Sequence, residues 1–395
     1  SMQLSSFYHI FLYVTMLAMA FMVDYNYRHT SQTVIVVKNK EQRKFSGTVW
    51  FFIIGMSLIY VFTEGLRYGR EVDQLGNYGP YYIMANSSHY LYDFEPLFTW
   101  LNKTLNSIDP LLYVLPFGSI FFVYAIFFIV SLVCLYSIFK DCSKYFLVFA
   151  ILATLSFQEG FIRQALSASL IFIAIYFYEK SKWKVAIVFL IASLLIHKGN
   201  ILFIGILVLC KFLLKNKCIN WKLSIPIFLL FEFVVQLDTV FNFIQDIAPY
   251  LNLSEDNNMT HYVTDTTYIE HEIDAASEWK RGPLTQLITV FFYVSSYYVC
   301  SYIGKRYKKY NYLLNTYIIC SLIFEPFRLY GTLSRAFITG ALLWFIPLSI
   351  SFYEWKKSSL VIFKTCVIMM LLYVITYWGR FIFLNPDAKY VWDLI

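Results

Sequence analysis

The chain is expected to fold as an all-α integral membrane protein of about twelve transmembrane helices, on two grounds. The first is composition: over 395 residues, 59% are hydrophobic and only 14% charged, against roughly 25% charged in soluble domains. The second is charge placement. Apolar runs bounded by charges fall at about 5–23, 48–65, 111–139, 145–159, 163–178, 183–197, 200–214, 222–240, 283–303, 310–327, 332–353 and 359–378. Several are near 15 residues, which suits tilted or half-broken spans.

Ser1 precedes Met2 and is left aside. The run Phe7–Val23 has no small-residue cleavage site after it and reads as a retained first span. Summing charge on alternate sides of the spans gives a strong asymmetry. Segments 24–47, 140–144, 179–184, 211–222, 303–310 and 354–364 carry 21 bases and five acids. The other side keeps 11 bases and 20 acids, so the split is +16 against −9. By the positive-inside rule the first side is cytoplasmic and both termini lie outside. The net charge of +7 is thus a matter of topology, and no nucleic-acid partner is expected.

The bases differ in kind as well. Inside, 18 of the 21 are Lys, whereas seven of the 11 outside are Arg: Arg67, Arg70, Arg163, Arg281, Arg328, Arg335 and Arg380. Lysine suffices to set orientation, while arginine suits bidentate, partly desolvated contact with phosphate or carboxylate. Seven cysteines without a CxxC pair imply neither a metal site nor a disulfide framework.

We treat the chain as a single polytopic membrane domain, 1–395, with two long external segments. In segment 66–110, Glu95-Pro96 opens an amphipathic helix whose Leu97, Phe98, Leu101, Leu105 and Ile108 share one face. This helix is expected to lie in the membrane interface. Segment 241–282 is acidic (Asp246, Glu255, Asp256, Asp265, Glu270, Glu272, Asp274, Glu278) and reads as an external cap.

Four polar clusters stand at external span ends. Arg67-Tyr68-Gly69-Arg70-Glu71-Val72-Asp73, with Tyr78 beyond, exceeds what an interfacial anchor needs. In Gln158-Glu159-Gly160-Phe161-Ile162-Arg163-Gln164 the glycine can break the helix, leaving Arg163 and Gln164 at a helix N-terminus suited to an anion. His197-Lys198-Gly199-Asn200 is a tight turn offering a neutral imidazole as general base and a lysine charge. Glu325-Pro326-Phe327-Arg328 is followed by Arg335 within an apolar run, where a charge needs a cavity or a partner such as Glu325. A structural reading stands beside each: anchor, hairpin turn, interfacial histidine, ion pair. No HExxH, P-loop, GxSxG or dinucleotide fingerprint occurs. Several arginines with abundant Tyr and Trp suit an anionic head group such as a diphosphate, carrying sugars and a lipid tail.

In this order the clusters resemble the EpsG family of Wzy-like bacterial polysaccharide polymerases. The likeness rests on Arg67, Tyr68, Asp73 and Tyr78; on Glu95-Pro96-Leu97-Phe98; on Arg163-Gln164-Ala165-Leu166-Ser167-Ala168; and on Ala192-Ser193 with His197-Lys198. It covers about residues 50–340. Glu71 replaces a glycine of the pattern and one residue is added before His197. The resemblance implies a GT-C-like membrane glycosyltransferase for O-antigen or exopolysaccharide, multi-pass in the bacterial plasma membrane, its active site facing the periplasm or exterior. It would join undecaprenyl-diphosphate-linked repeat units without cofactor or metal, taking a lipid-linked donor and acceptor, with a chain-length regulator and a flippase as companions. Asp73, Glu95 and His197 compete for the base; Arg67, Arg70, Tyr78, Arg163, Gln164, Lys198, Arg328 and Arg335 would hold diphosphate and glycan. A glycan ligase of the same fold, a lipid-linked sugar transporter and an O-acyltransferase are the alternatives. Charges confined to one face count against transport, and the Lys-dominated inner loops offer an acyl donor no site.

Overall fold

A computed structural model describes residues 4–29, 34–37, 40–69, 74–87, 94–235, 282–328 and 331–383. The expected acidic cap, apart from Gly282, lies outside these residues, as do Arg70 and Asp73. Helices stand at each of the twelve apolar runs: α1 (Leu4–His29), α2 (Gly47–Gly65), α5 (Ile120–Phe139), α6 (Phe146–Gly160), α7 (Ile162–Glu179), α8 (Trp183–Ile196), α9 (Ile201–Phe212), α10 (Trp221–Phe233), α11 (Pro283–Gly304), α12 (Asn311–Phe324), α13 (Gly331–Ala341) continued by α14 (Phe345–Glu354), and α15 (Val361–Phe383). Between α2 and α5 lie the short α3 (Gly79–Ile83) and α4 (Pro96–Ile108). Among the described residues, five helical stretches are long and apolar enough to cross a membrane: Phe7–His29, Gly47–Gly65, Ile120–Phe139, Pro283–Gly304 and Ser334–Glu354. Their outer faces are what lipid requires. On α2, Phe51, Ile54, Leu58 and Phe62 recur at helical spacing and all are exposed. A soluble protein does not present apolar stripes of this kind to water.

Three elements depart from expectation. Strands β1 (Val34–Val37) and β2 (Lys40–Arg43) pair antiparallel, Val34 opposite Arg43 and Val37 opposite Lys40, where no strand is expected. The β-branched run Val34-Ile35-Val36-Val37 favours extended backbone. The span expected at 111–139 begins as a helix only at Ile120. Pro110 stands just before the run, Pro116 interrupts it, and Gly118 adopts φ +57, a left-handed conformation that glycine takes without strain. Asp109 holds this turn, accepting from Leu111 N (2.9 Å), Ser119 N (2.6 Å), Ser119 Oγ (2.8 Å) and Tyr82 Oη (2.6 Å). Burial raises the Asp109 carboxyl, but these hydrogen bonds outweigh it and hold it below the usual carboxylate range. The third departure is α4. Its stripe Leu97, Phe98, Leu101 and Leu105 packs on protein, in a cluster with Tyr81, Tyr82, Phe121 and Tyr124 and against α8, and buried Asn102 accepts from Tyr124 Oη at 2.8 Å. Ile108 is left exposed with Trp100 on the outer side, and Tyr113 and Val114 follow, also exposed.

The chain divides into two compact units. One comprises 1–201, 349–356 and 374–395; the other comprises 202–348 and 357–373. In the first, the single Tyr13 hydroxyl proton of α1 is shared between Glu64 Oε1 of α2 (3.2 Å) and Glu159 Oε1 of α6 (3.0 Å), tying three helices through one hydroxyl. In the second, buried hydroxyl pairs join α11 to α12: Ser296 with Tyr317 at 2.6 Å, and Tyr297 with Ser321 at 2.9 Å. All seven cysteines are free thiols.

Candidate active site

The polar residues of the first unit gather at the α6–α7 turn. Gly160 ends α6 and Arg163 stands in the first turn of α7. Its Nη1 donates to Glu95 Oε2 at 2.6 Å, a charge-assisted bond of the short, strong kind. The guanidinium lies over the Phe94 ring, 4.6 Å from its centroid. Glu95 Oε1 accepts from the Lys198 backbone N–H at 3.1 Å and stands 3.8 Å from His197 Nδ1. Three segments far apart in sequence therefore meet on one carboxylate. All three side chains keep partial access, with relative exposures of 21% for Arg163, 12% for Glu95 and 20% for His197.

The support beneath is polar and buried. Asn200 Nδ2 donates to the Gln164 carbonyl (3.2 Å) and to Ser167 Oγ (2.9 Å), whose hydroxyl donates to the Ser193 carbonyl (2.8 Å). These bonds fasten the start of α7 to the 198–200 turn. Gln164 is itself buried, its Nε2 donating to Asn200 Oδ1 at 3.4 Å, and so adds to this bracing. The Lys198 side chain is exposed. Gly199 packs against the imidazole: a Cβ there would fall 2.6 Å from His197 Nε2.

Arg67 has a different setting. It is only 1% exposed, sits 3.4 Å from Glu64 Oε2 and lies over Phe121 at 5.3 Å. Beyond that ion pair its guanidinium nitrogens find no hydrogen bond among the described residues. Gln74 secures its backbone, donating to the Arg67 carbonyl and accepting from Gly69 N–H, both at 2.9 Å. A ladder of rings runs from Arg67 to Arg163: Phe121 to Tyr124 at 5.9 Å, Tyr124 to Phe98 at 6.0 Å, Phe98 to Phe94 at 5.4 Å. The first three rungs are buried core. Half-buried Tyr78 leans on Phe94 and Phe98, 5.8 Å from each, so Tyr78 and Phe94 are the partly exposed rings of this group.

In the second unit, Arg328 lies between two buried carboxylates, 3.4 Å from Glu325 Oε1 and 3.7 Å from Glu232 Oε1. Glu232 Oε1 also accepts from Gln286 Nε2 at 3.3 Å. Pro326 falls in the turn that follows α12, and the turn brings Arg328 back to Glu325. Arg335 is exposed on α13. Sequence reasoning missed Glu64, Tyr13 and Glu232 as site-shaping groups, and met Asn200 only as part of the 197–200 turn. An acid in the last turn of apolar α2, three residues before Arg67, was the one legible signal.

Set beside known proteins, residues 48–386 match the family model described as EpsG family. No curated protein and no solved structure matches the chain.

Proposed function

The chain belongs to the EpsG family, and from that premise we propose that it is a Wzy-like polysaccharide polymerase joining undecaprenyl-diphosphate-linked repeat units at the outer face of the bacterial plasma membrane. The observation that carries this reading is the Glu95–Arg163–His197–Lys198 constellation. The charge split of +16 against −9 supports twelve crossings with this constellation outside, in a GT-C-like arrangement.

A sugar 1-diphosphate is an activated donor, so the protein has two tasks: to stabilise the departing diphosphate and to accept a proton. The acceptor hydroxyl oxygen attacks the anomeric carbon of the growing chain. The bond from that carbon to the diphosphate oxygen breaks, and its electron pair leaves with the lipid diphosphate. Arg163 and the Lys198 N–H meet the developing charge, with the Lys198 ammonium within reach of the second phosphate. His197 takes the hydroxyl proton. Of the base candidates in the described residues it is preferred to Glu95, whose carboxylate stands 3.8 Å from His197 Nδ1, where it can orient the imidazole. Tyr78 and Phe94 offer faces for the sugars. The reaction calls for no cofactor or metal.

The deciding experiment supplies purified protein in lipid with defined lipid-linked repeat units and nothing else. A ladder of products supports polymerisation. Transfer only after addition of a different acceptor makes the protein a ligase, and movement of units without bond formation makes it a transporter.

A further inference from the structure

The first turn of α4 carries an anomaly. Glu95 occupies its N-cap position, yet its side chain makes no capping hydrogen bond. The first N–H groups of a helix lack intrahelical partners, and negative charge is favoured there. The carboxylate instead leaves its own helix and takes a guanidinium and a main-chain N–H from two other segments. Those donors are of the kind that receive phosphoryl oxygens. Arg163 Nε, buried and without a hydrogen-bond partner among the described residues, adds a further donor.

From this geometry we infer that Glu95 is an internal counter-anion: its carboxylate holds the diphosphate site closed until the lipid diphosphate displaces it. The inference rests on the polymerase reading and adds how its site is regulated. The carboxylate has more than one place to rest. On Arg163 and the Lys198 N–H it neutralises the site; on the N–H groups of its own first turn, which its side chain does not cap, or beside His197, it leaves Arg163 to the ligand. Displacement also frees the carboxylate beside His197 Nδ1, now 3.8 Å away, to close on the imidazole and orient it for proton transfer. Binding of the anion and readiness of the base are thereby coupled, since each needs Glu95 to leave Arg163.

The test is equilibrium binding of inorganic diphosphate to the full chain in lipid. Glu95→Gln removes the competing charge and should bind about tenfold more tightly than the native protein, a gain of about 1.4 kcal/mol. Glu95→Asp, one methylene shorter and a better helix cap, should also gain affinity, so the test survives misfolding of either variant. Arg163→Ala should abolish binding in every background. Both Glu95 variants should lose turnover on lipid-linked units despite tighter binding. Equal or weaker diphosphate binding by folded Glu95→Gln and Glu95→Asp overturns the inference, as does binding that survives Arg163→Ala. The two readings fail separately. A native protein that polymerises, with variants that gain no affinity, removes the counter-anion and keeps the polymerase. Variants that gain affinity in a chain that never polymerises keep the anion site and remove the polymerase.

Discussion

Arg163 and Arg67 make a natural experiment within one unit. Each pairs with one glutamate and lies over one phenylalanine ring, at 4.6 Å and 5.3 Å respectively. Their exposures differ: 21% for the Arg163 side chain and 1% for Arg67. The same chemistry therefore serves two ends. Arg163 can exchange its carboxylate partner for an incoming anion without unfolding anything. Arg67 is sealed among α2, Phe121 and the Tyr13–Glu64–Glu159 knot, its guanidinium 3.4 Å from the buried Glu64 carboxylate. Arg328, between two carboxylates, is a third case, already paired twice.

The sharpest way to break this comparison is to remove each arginine in turn. Arg163→Ala should abolish polymer at unchanged protein level, a fall in rate of at least about 100-fold by analogy with loss of an oxyanion donor. Arg163→Lys should fail as well if the fork geometry matters. Arg67→Ala should act first on stability, by about 3–5 kcal/mol, because it strands the buried Glu64 carboxylate. Adding Glu64→Gln should recover part of that loss, read as melting temperature in detergent. Normal stability of Arg67→Ala together with lost polymer would place Arg67 in the site after all.

Much of the helix plan was legible because apolar runs bounded by lysines are a local signal. Phe146–Gly160 and Ile162–Glu179 fall within a residue or so of their expected limits. Leu111 to Phe117 was misread because hydropathy cannot tell an apolar turn from an apolar helix. What separates them is Asp109, whose acceptors gather Tyr82 and Ser119 from outside the local pattern. Glu95, Arg163 and His197 were each legible as candidates, but their meeting was not. The 2.6 Å contact joins residues 68 positions apart, and no spacing rule reaches that far. The burial of Arg67 was hidden for the same reason: the sequence places it at a span end, where an arginine ordinarily faces water.

Asp109 gives a smaller, pH-dependent test of the scaffold around the site. Its folded carboxyl is held below the ordinary value, so its stabilisation is complete above the unfolded carboxylate pKa of about 3.9 and is lost as pH falls through the lower folded value. Asp109→Asn should cost about 1–3 kcal/mol at neutral pH, since it unmakes hydrogen bonds to an ionised acceptor. The gap in melting temperature between variant and native protein should narrow below about pH 4. A gap that stays constant across that range would mean the carboxylate charge contributes nothing.

The smallest effect isolates the imidazole from the arginine. Gly199 has no Cβ, and one placed there would stand 2.6 Å from His197 Nε2 and 3.1 Å from Cε1. Both distances are too short, so Gly199→Ala must push the ring away from its place near Glu95 while leaving Arg163 and its 2.6 Å bond untouched. Misplacement of a catalytic group by an ångström can cost up to about 100-fold in rate. A partial shift of this mostly buried ring should cost about tenfold in turnover, with melting temperature within a few degrees of native and diphosphate affinity lowered far less than rate. That pattern, rate well ahead of affinity, is what a base should show and a ligand-binding residue should not. If Gly199→Ala instead weakens diphosphate binding in step with rate, His197 belongs with Arg163 in holding the anion, and the proton must find another acceptor.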